Sequence, residues 1–296
     1  MVFALGLGDK LAGVTHECDF PVAAKSKPVV VKAALPLEKM GLREIDATVT
    51  QRVHSGQSLY EVDEQLLADL APTHILTQEL CHVCAPSGSE ITRALAALPM
   101  KPQIVWLTPH SIEEIFGNMR ELGVITGQLA RAERFMAVAR QRLQKISEKV
   151  RKISRRPRVF CLEWADPYYC CGHWVPEMVE LAGGWDVLGR KGEYSRQVSR
   201  EEIVAAAPEV LIISSCGFDA GKAAAQAKEL LQRPGWSDLP AVRNNRVFAA
   251  DANAYFTRPG PRVVDGVELL AHLIHPEMFR WDGAPNAFEK INVTEK

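Results

Sequence analysis

Thiols and an imidazole occur in two loops that follow predicted strands, and these side-chain types bind metal ions. One loop holds a CxxC pair, and the other holds two adjacent cysteines and a histidine; the residues are Cys81, Cys84, Cys170, Cys171 and His173. A zinc site usually needs four such ligands. The second loop could complete the set that the CxxC pair begins only if the two loops face each other. Three interpretations stay open: coordination of zinc, iron or a cofactor, thiol chemistry, and packing as small apolar side chains.

Polar side chains crowd a third loop, residues 15–21, whose sequence is THECDFP. Its imidazole, thiol and carboxylates could contact a polar ligand, or they could cap the next element. The candidates, together with Gln78 at the start of the CxxC loop, are His16, Glu17, Cys18 and Asp19.

Two carboxylates, Glu163 and Asp166, follow the strand predicted at 158–162. A carboxylate so close to a buried strand end usually has a partner, because an unpaired charge there is costly. The natural candidates are the arginines of a rigid RPGPR turn, Arg258 and Arg262. Such a pair could be purely structural, or the arginines could bind a phosphate or carboxylate of a ligand.

Aromatic side chains accumulate in the same two loops of the second half. Their flat apolar faces suit a ring system or a macrocycle, although aromatic loop residues also often serve only for packing. The residues are Trp164, Tyr168, Tyr169, Trp174, Tyr255 and Phe256.

Composition excludes several classes of protein. The chain has 296 residues, 47% of them hydrophobic and 24% charged, with a net charge of -1. Such a balance is ordinary for a globular protein and gives no basic patch for nucleic acid. No apolar run approaches the roughly 18–20 residues of a membrane span, and no phosphate-binding Walker loop or nucleophile elbow is present.

The amino-terminal residues bear on the location of the protein in the cell. They lack a basic segment, a long apolar run and a cleavage site, so no signal peptide is recognised. The odd number of cysteines, seven, also favours a cytoplasmic protein without a disulfide framework. However, residues 3–8 read as if they began inside a helix; a true start further upstream would make the protein periplasmic or extracellular.

The pattern of elements predicts an α/β fold. Short β-branched runs alternate with helical segments, and parallel neighbours need such crossover helices. Strands are predicted at 28–32, 74–77, 103–107, 158–163, 210–213 and 246–249, and helices include 62–70, 87–98, 176–182, 201–207, 219–232 and 261–273. The result is two lobes with mainly parallel sheets.

A long helix is predicted between the two lobes. Residues 126–153 are rich in good helix formers, and such a helix would span roughly 40 Å. It could be a surface helix, but a rigid strut fits its length better. We therefore divide the chain into an N-terminal lobe, 1–110, bridging helices, 111–156, and a C-terminal lobe, 157–296.

These features resemble one known family. The four loops read THECDFP, CHVC, EWADPYYCCGHWVPE and YFTRPGPR, and the segment 197–213 and the long middle helix agree with them. They look like the substrate-binding proteins of ABC importers for vitamin B12 and iron-siderophores, in particular the cobalamin-binding subgroup. The likeness extends from Phe3 to about Pro276, and the family pattern places one further strand before Phe3.

The resemblance implies two Rossmann-like lobes joined by a helix, with a ligand in the cleft that the four loops line. The ligand would be cobalamin or another metal-bearing macrocycle, held without catalysis, and the protein would be a monomer. Glu201 matches one glutamate that family members use to dock on the permease; the other falls at Gln65, with Glu64 beside it. The alternative is a cytoplasmic metal- or thiol-dependent enzyme, or a metal-handling protein, that uses the cysteine and histidine cluster on the same fold.

Overall fold

A computed structural model describes residues 1–78, 98 and 100–292 of the protein. The chain divides into two compact units. The first consists of Met1–Pro109 and Gly117–Glu133, and the second of His110–Phe116 and Arg134–Lys296. The boundaries predicted for two lobes and a bridging segment stay predictions.

The first unit contains two small sheets among its described residues. Strands β1 (Val14–Thr15) and β2 (Val29–Ala33) pair in parallel, and β3 (Tyr60–Val62) pairs with β2 in the antiparallel sense. Strands β4 (His74–Thr77) and β5 (Gln103–Trp106) form a parallel pair of their own. The loop at 16–21 thus leaves the carboxyl end of β1, as the sequence predicts, and Gln78 follows the carboxyl end of β4.

Helices of the first unit begin and end at identifiable residues. Helix α1 is Leu42–His54. Helix α2 is Glu64–Leu70; the Asp63 side chain accepts a hydrogen bond from its backbone, and Ala71 ends it in the left-handed conformation. The helix predicted at 87–98 and the CxxC pair lie outside the described residues.

Two consecutive helices occupy residues 112–150, and the second corresponds to the long helix predicted at 126–153. Helix α3 is Ile112–Ile125, and α4, Leu129–Val150, has 22 residues. The break comes at Gly127, whose φ of 69° lies in the left-handed region that favours glycine. Both helices contribute residues to both units.

The second unit is built on one larger sheet. Its strands run in the order β12-β11-β10-β6-β7-β9, and β8 also pairs with β6. The central strands β6, β10 and β11 are parallel, and every residue of β10 and β11 is buried, as expected for strands covered on both faces. The bounds are β6 Arg158–Ala165, β7 Tyr168–Cys170, β8 Trp185–Asp186, β9 Arg196–Gln197, β10 Val210–Ile213, β11 Val247–Ala250 and β12 Phe288–Lys290.

Helices of the second unit follow the predicted order. Ser199 caps α6: its hydroxyl accepts a hydrogen bond from the Glu202 N–H, and its own N–H donates to the Glu202 carboxylate, which together form a capping box. Asp219 caps α7 in a similar way. The remaining bounds are α5 Val175–Leu181, α6 Arg200–Ala206, α7 Ala220–Leu231, α8 Pro240–Arg243, α9 Ala252–Tyr255 and α10 Val263–Ile274.

The structure corrects two expectations about the second unit. The segment expected to be a loop from residue 162 onward is largely a β-hairpin, because β6 continues to Ala165 and β7 returns antiparallel to it. The polar tail after His275 is not peripheral: it supplies β12, which pairs with β11, and Ile291 is only 3% exposed. Its apolar side chains therefore belong to the core.

Candidate ligand-binding site

The parallel strands of the second unit bring several loops to one edge of the sheet. Strands β6, β10 and β11 all end there, and the segments that leave them begin at residues 166, 214 and 251. In open α/β sheets, ligands bind outside these carboxyl ends. We call this edge the strand-end surface.

Three rings form a cluster in the second unit: His110, His173 and Tyr194, named here the imidazole cluster. The two imidazole centroids are 5.6 Å apart, at 40°. The Tyr194 ring stands nearly perpendicular to both, with centroids 5.7 Å from His110 and 5.3 Å from His173. Tyr194 is 59% exposed, so the cluster opens to solvent on that side.

The backbone around His173 is held in a fixed conformation. Its φ of 53° lies in the left-handed region, and its N–H donates to the Glu193 carbonyl at 2.6 Å. Its own carbonyl accepts a hydrogen bond from the Gly192 N–H at 2.9 Å. These two bonds fix the direction in which the imidazole leaves the chain.

The imidazole of His173 is held in its neutral form by its surroundings. Burial, and secondarily the neighbouring His110, lower the pKa of His173 from 6.5 to about 4. The Nδ1 atoms of both rings are buried and have no hydrogen-bond partner within the described part of the chain. Neutral imidazoles with unengaged nitrogens are typical metal ligands.

The environment of Glu163 differs from the prediction. No arginine of the RPGPR turn serves it; the Ser195 hydroxyl donates to its carboxylate at 2.8 Å, and Cys171 and the Gly172 N–H also bond to it. Burial raises the pKa of Glu163, and these hydrogen bonds oppose that rise. Neutral donors from the neighbouring segment thus take the place of the expected ion pair.

A different arginine stabilises the β6–β7 hairpin. Arg233 lies 3.6 Å from the Asp166 carboxylate, donates to the Ala165 carbonyl at 3.0 Å, and lies over the Tyr168 ring at 5.7 Å. The Tyr168 hydroxyl also accepts a hydrogen bond from the Trp236 indole at 3.3 Å. Asp166 and Tyr168 therefore belong to the support of the hairpin as well as to the predicted site.

The predicted aromatic residues divide by burial. Trp164 is partly exposed; its ring lies 6.1 Å from Phe218, which follows β10, and its indole donates to the Asp166 carbonyl. Trp174, by contrast, is 3% exposed and donates to the Phe256 carbonyl at 2.8 Å. Tyr255 and Phe256 are also buried. Of these four residues, Trp164 exposes part of its ring, whereas Trp174, Tyr255 and Phe256 are buried and can act only as support.

Three cysteines of the second unit lie in its core. Cys161, Cys170 and Cys171 are at most 2% exposed, and burial raises the pKa of each thiol. This placement agrees with the packing interpretation. No group of three or more potential metal-ligating side chains occurs within residues 1–78, 98 and 100–292. Cys81 and Cys84 lie outside that part of the chain.

The polar loop of the first unit is exposed at the end of β1. His16 contacts Glu17 at 3.4 Å and the Val31 carbonyl at 3.3 Å. Cys18 is exposed, with its sulfur 3.6 Å from the Thr15 hydroxyl. Asp19 and, at the end of β4, Gln78 are partly exposed. Whether these groups and the strand-end surface line one cleft stays a prediction.

Four further charged residues lie at helix starts or in the last site loop. Arg262 immediately precedes α10, and Arg258 lies in the same partly exposed turn. Glu201, in the first turn of α6, is 73% exposed and contacts Arg200 at 3.2 Å. Glu64 begins α2.

Sequence reasoning missed His110 and Tyr194. His110 follows the strand at 103–107 and precedes a capped helix, a position that could have marked it as a loop residue at a strand end. Tyr194 lies in a segment without a regular element, and nothing in its neighbourhood along the chain indicates that it packs on His173.

Two α/β units with candidate binding groups at strand ends are an arrangement typical of ligand-binding proteins. A family model described as "Periplasmic binding protein" matches residues 1–254. The chain belongs to this periplasmic binding protein family, which confirms the predicted family and α/β fold class.

Curated relatives cover most of the chain. An uncharacterized ABC transporter substrate-binding lipoprotein of Bacillus subtilis is 26% identical over 289 residues, covering 95% of this chain and 78% of the relative. A vitamin B12-binding protein of Vibrio cholerae is 26% identical over 274 residues, covering 91% and 83%.

Solved structures share the fold. A periplasmic heme-binding protein from a Roseiflexus species superposes with a TM-score of 0.70 at 22% identity, covering 93% of both chains. The periplasmic vitamin B12-binding protein of Vibrio cholerae gives a TM-score of 0.67 at 21% identity, covering 93% of this chain and 92% of that one. At such identities the likeness concerns the fold.

The family decides between the two function classes. Its members are binding proteins that deliver small ligands to ABC permeases, not enzymes, which confirms the prediction of a non-catalytic protein and disfavours the enzyme alternative. Metal binding by the cysteines gains no support. Within the described residues, no helix is long and apolar enough to cross a membrane.

Proposed function

We propose that the protein binds a corrinoid, cobalamin or a close relative, and delivers it to an ABC permease from outside the cytoplasm. The observation that carries the proposal is a set of ring faces in the second unit: Trp164 and Phe218 at the strand-end surface, and the imidazole cluster. Relatives that are named vitamin B12-binding proteins support the choice of ligand. Heme, named for other proteins of this fold, is the comparison ligand.

The chemistry of a corrinoid suits these groups. A corrin is a broad, flat macrocycle, and aromatic side chains offer apolar faces of matching shape. Its nucleotide loop carries one phosphate, which the arginines of the RPGPR turn, Arg258 and Arg262, are suited to bind. The peripheral amides of the corrin can form hydrogen bonds with polar side chains of the kind found after β1 and at the end of β6.

The remaining predicted contacts belong to the same proposal. We assign ligand contact to the predicted residues of each unit, with the buried Trp174 and Tyr255 acting as support from behind. The other contacts are His16, Glu17, Cys18, Asp19, Gln78, Cys81, Cys84, Glu163, Asp166, Tyr168 and His173.

Docking on a permease is proposed for two glutamates. Glu201 is exposed in the first turn of α6, where a permease arginine could reach it, and Glu64 holds the corresponding place in α2. Charge pairs at such surfaces mainly govern the rate and specificity of association. We propose a monomer as the docking form.

Calorimetric titration with cobalamin and, separately, with heme tests the proposed function. The expected result is one-to-one, submicromolar binding of cobalamin, with weaker binding of heme. Absence of cobalamin binding by the folded protein would overturn the proposal. Tighter binding of heme would change the ligand but keep the site.

Replacing Trp164 by alanine should weaken cobalamin binding by about tenfold, which corresponds to about 1.4 kcal/mol. The change removes a ring face at the carboxyl end of β6. Trp185→Ala is the matched control, because Trp185 is 58% exposed and pairs with Arg158 at the opposite end of the same strand. Equal losses in both variants, measured by calorimetry, would argue against the strand-end surface as the binding surface.

A further inference from the structure

The imidazole cluster has a property that packing alone does not explain. Two histidines lie ring against ring, at 5.6 Å, and each keeps its Nδ1 buried without a hydrogen-bond partner in the described part of the chain. Buried polar atoms are normally paired, and each exception calls for a reason. Neither ring forms an ion pair among the described residues, whereas a structural histidine of this unit, His275, bonds to the Gly183 carbonyl at 3.1 Å.

Because Nδ1 is buried in both rings, Nε2 is the nitrogen that is left to bond to a ligand. A neutral imidazole carries one lone pair, and this lone pair is a preferred donor to first-row transition metals. The nitrogen can therefore form a bond that packing aromatics such as Trp164 cannot.

The backbone conformation favours His173 over His110 as the donor. His173 is anchored in the left-handed region by hydrogen bonds to Glu193 and Gly192, and the Tyr194 and His110 rings pack against its imidazole. Its ring therefore needs little ordering when it meets a metal. A ligand held in advance by its surroundings binds more tightly than one that must be ordered on binding.

We propose that Nε2 of His173 is an axial ligand to the cobalt of the bound corrinoid. This inference rests on the proposed function. A Co–N bond forms, the bond between cobalt and its exchangeable axial water breaks, and the water leaves; the cobalt oxidation state and the protonation of the imidazole do not change. His110 and Tyr194 are positioning residues that hold the donor ring.

Two corrinoids that differ at the axial position provide the test. Aquocobalamin has an exchangeable water on cobalt, whereas cyanocobalamin has a firmly held cyanide there. The full-length protein should bind aquocobalamin about tenfold or more tightly than cyanocobalamin, and the visible absorption bands of aquocobalamin should shift on binding. Both are measured by titration, the first by calorimetry and the second by spectrophotometry.

Substitution of the donor separates ligation from structure. His173→Asn keeps a side chain that tolerates the left-handed conformation. It should reduce the affinity ratio to about one and abolish the spectral shift. Trp185→Ala, at the opposite end of β6, is the control and should leave ratio and spectrum unchanged.

The outcomes distinguish the two proposals. Tight binding of both corrinoids without preference or spectral change overturns axial ligation and leaves the proposed function intact. A preference that survives in His173→Asn likewise overturns it. Failure of both corrinoids to bind overturns the proposed function together with this inference.

Discussion

Gly172→Ala should lower the free energy of unfolding by about 3 kcal/mol or more, the upper end for overpacking. A Cβ at this position would lie 2.5 Å from the Glu193 carbonyl oxygen and from the Tyr194 carbonyl carbon, and closer still to the Ser195 nitrogen. All three are backbone atoms, so no side-chain rotation can relieve the contact. The segment carrying Tyr194 and Ser195 must move away, and with it the donor to Glu163. Urea titration followed by circular dichroism measures the effect.

Gly260→Ala is the matched control for this variant. No atom lies within 4 Å of the Cβ that it would add, so its free energy of unfolding should change by less than about 1 kcal/mol. Equal stability of the two variants would show that the segment 193–195 does not pack against Gly172 as described.

Asp186→Asn should remove a pH dependence of stability worth about 3 kcal/mol in the wild type, at about 1.4 kcal/mol per pKa unit. Asp186 is 8% exposed; one carboxylate oxygen accepts bonds from the Leu188 and Gly189 N–H groups, and the other has no partner among the described residues. Burial raises its pKa from 3.8 to about 6, against the effect of the two backbone hydrogen bonds. The ionised form is therefore the costly one.

The sign follows from proton binding. Between pH 4 and about 6 the native state holds the proton on Asp186 and the unfolded state does not, so this group makes the protein less stable as pH rises through that window. His173, with its lowered pKa of about 4, acts oppositely: its contribution is lost as pH falls below 6.5. For this reason the measured quantity is the difference in the free energy of unfolding between wild type and variant. It is obtained from urea unfolding at about pH 4.5, 6 and 8, which bracket the pKa of Asp186.

Asp238→Asn is the control for the Asp186 experiment. Asp238 is 68% exposed and paired with Arg243, so its removal deletes the same charge without deleting a buried one. This variant should keep the pH dependence of the wild type. An Asp186→Asn protein with an unchanged slope would mean that the carboxylate is solvated.

Local patterns predicted much of the secondary structure. The strands His74–Thr77 and Val210–Ile213 were predicted to the residue, because short apolar runs lie there between polar or proline residues. The Ser199–Glu202 capping box was likewise readable from four residues. Such features depend on neighbours along the chain.

Contacts between distant segments were not readable in this way. The Asp166-Pro167 break suggested a loop, whereas pairing of Tyr168 with Ala165 makes it a hairpin turn. Trp174 looked like a ligand contact by type, but the Phe256 carbonyl, 82 residues later, holds it in the core. The His110 ring contacts the His173 ring because α3, which begins at Ile112, lies beside the segment that carries His173. In each case the deciding atom comes from a distant segment.

The tail strand β12 has a consequence for association between copies of the protein. Phe288–Lys290 covers the side of β11, which would otherwise present a row of unpaired N–H and C=O groups at the end of the sheet. An open strand edge of this kind, here apolar and flat, is a template for pairing with a strand from another molecule. A chain shortened before Phe288 should therefore aggregate even if its ligand-binding loops are intact, and the few residues of the tail act as a barrier to fibril-like assembly.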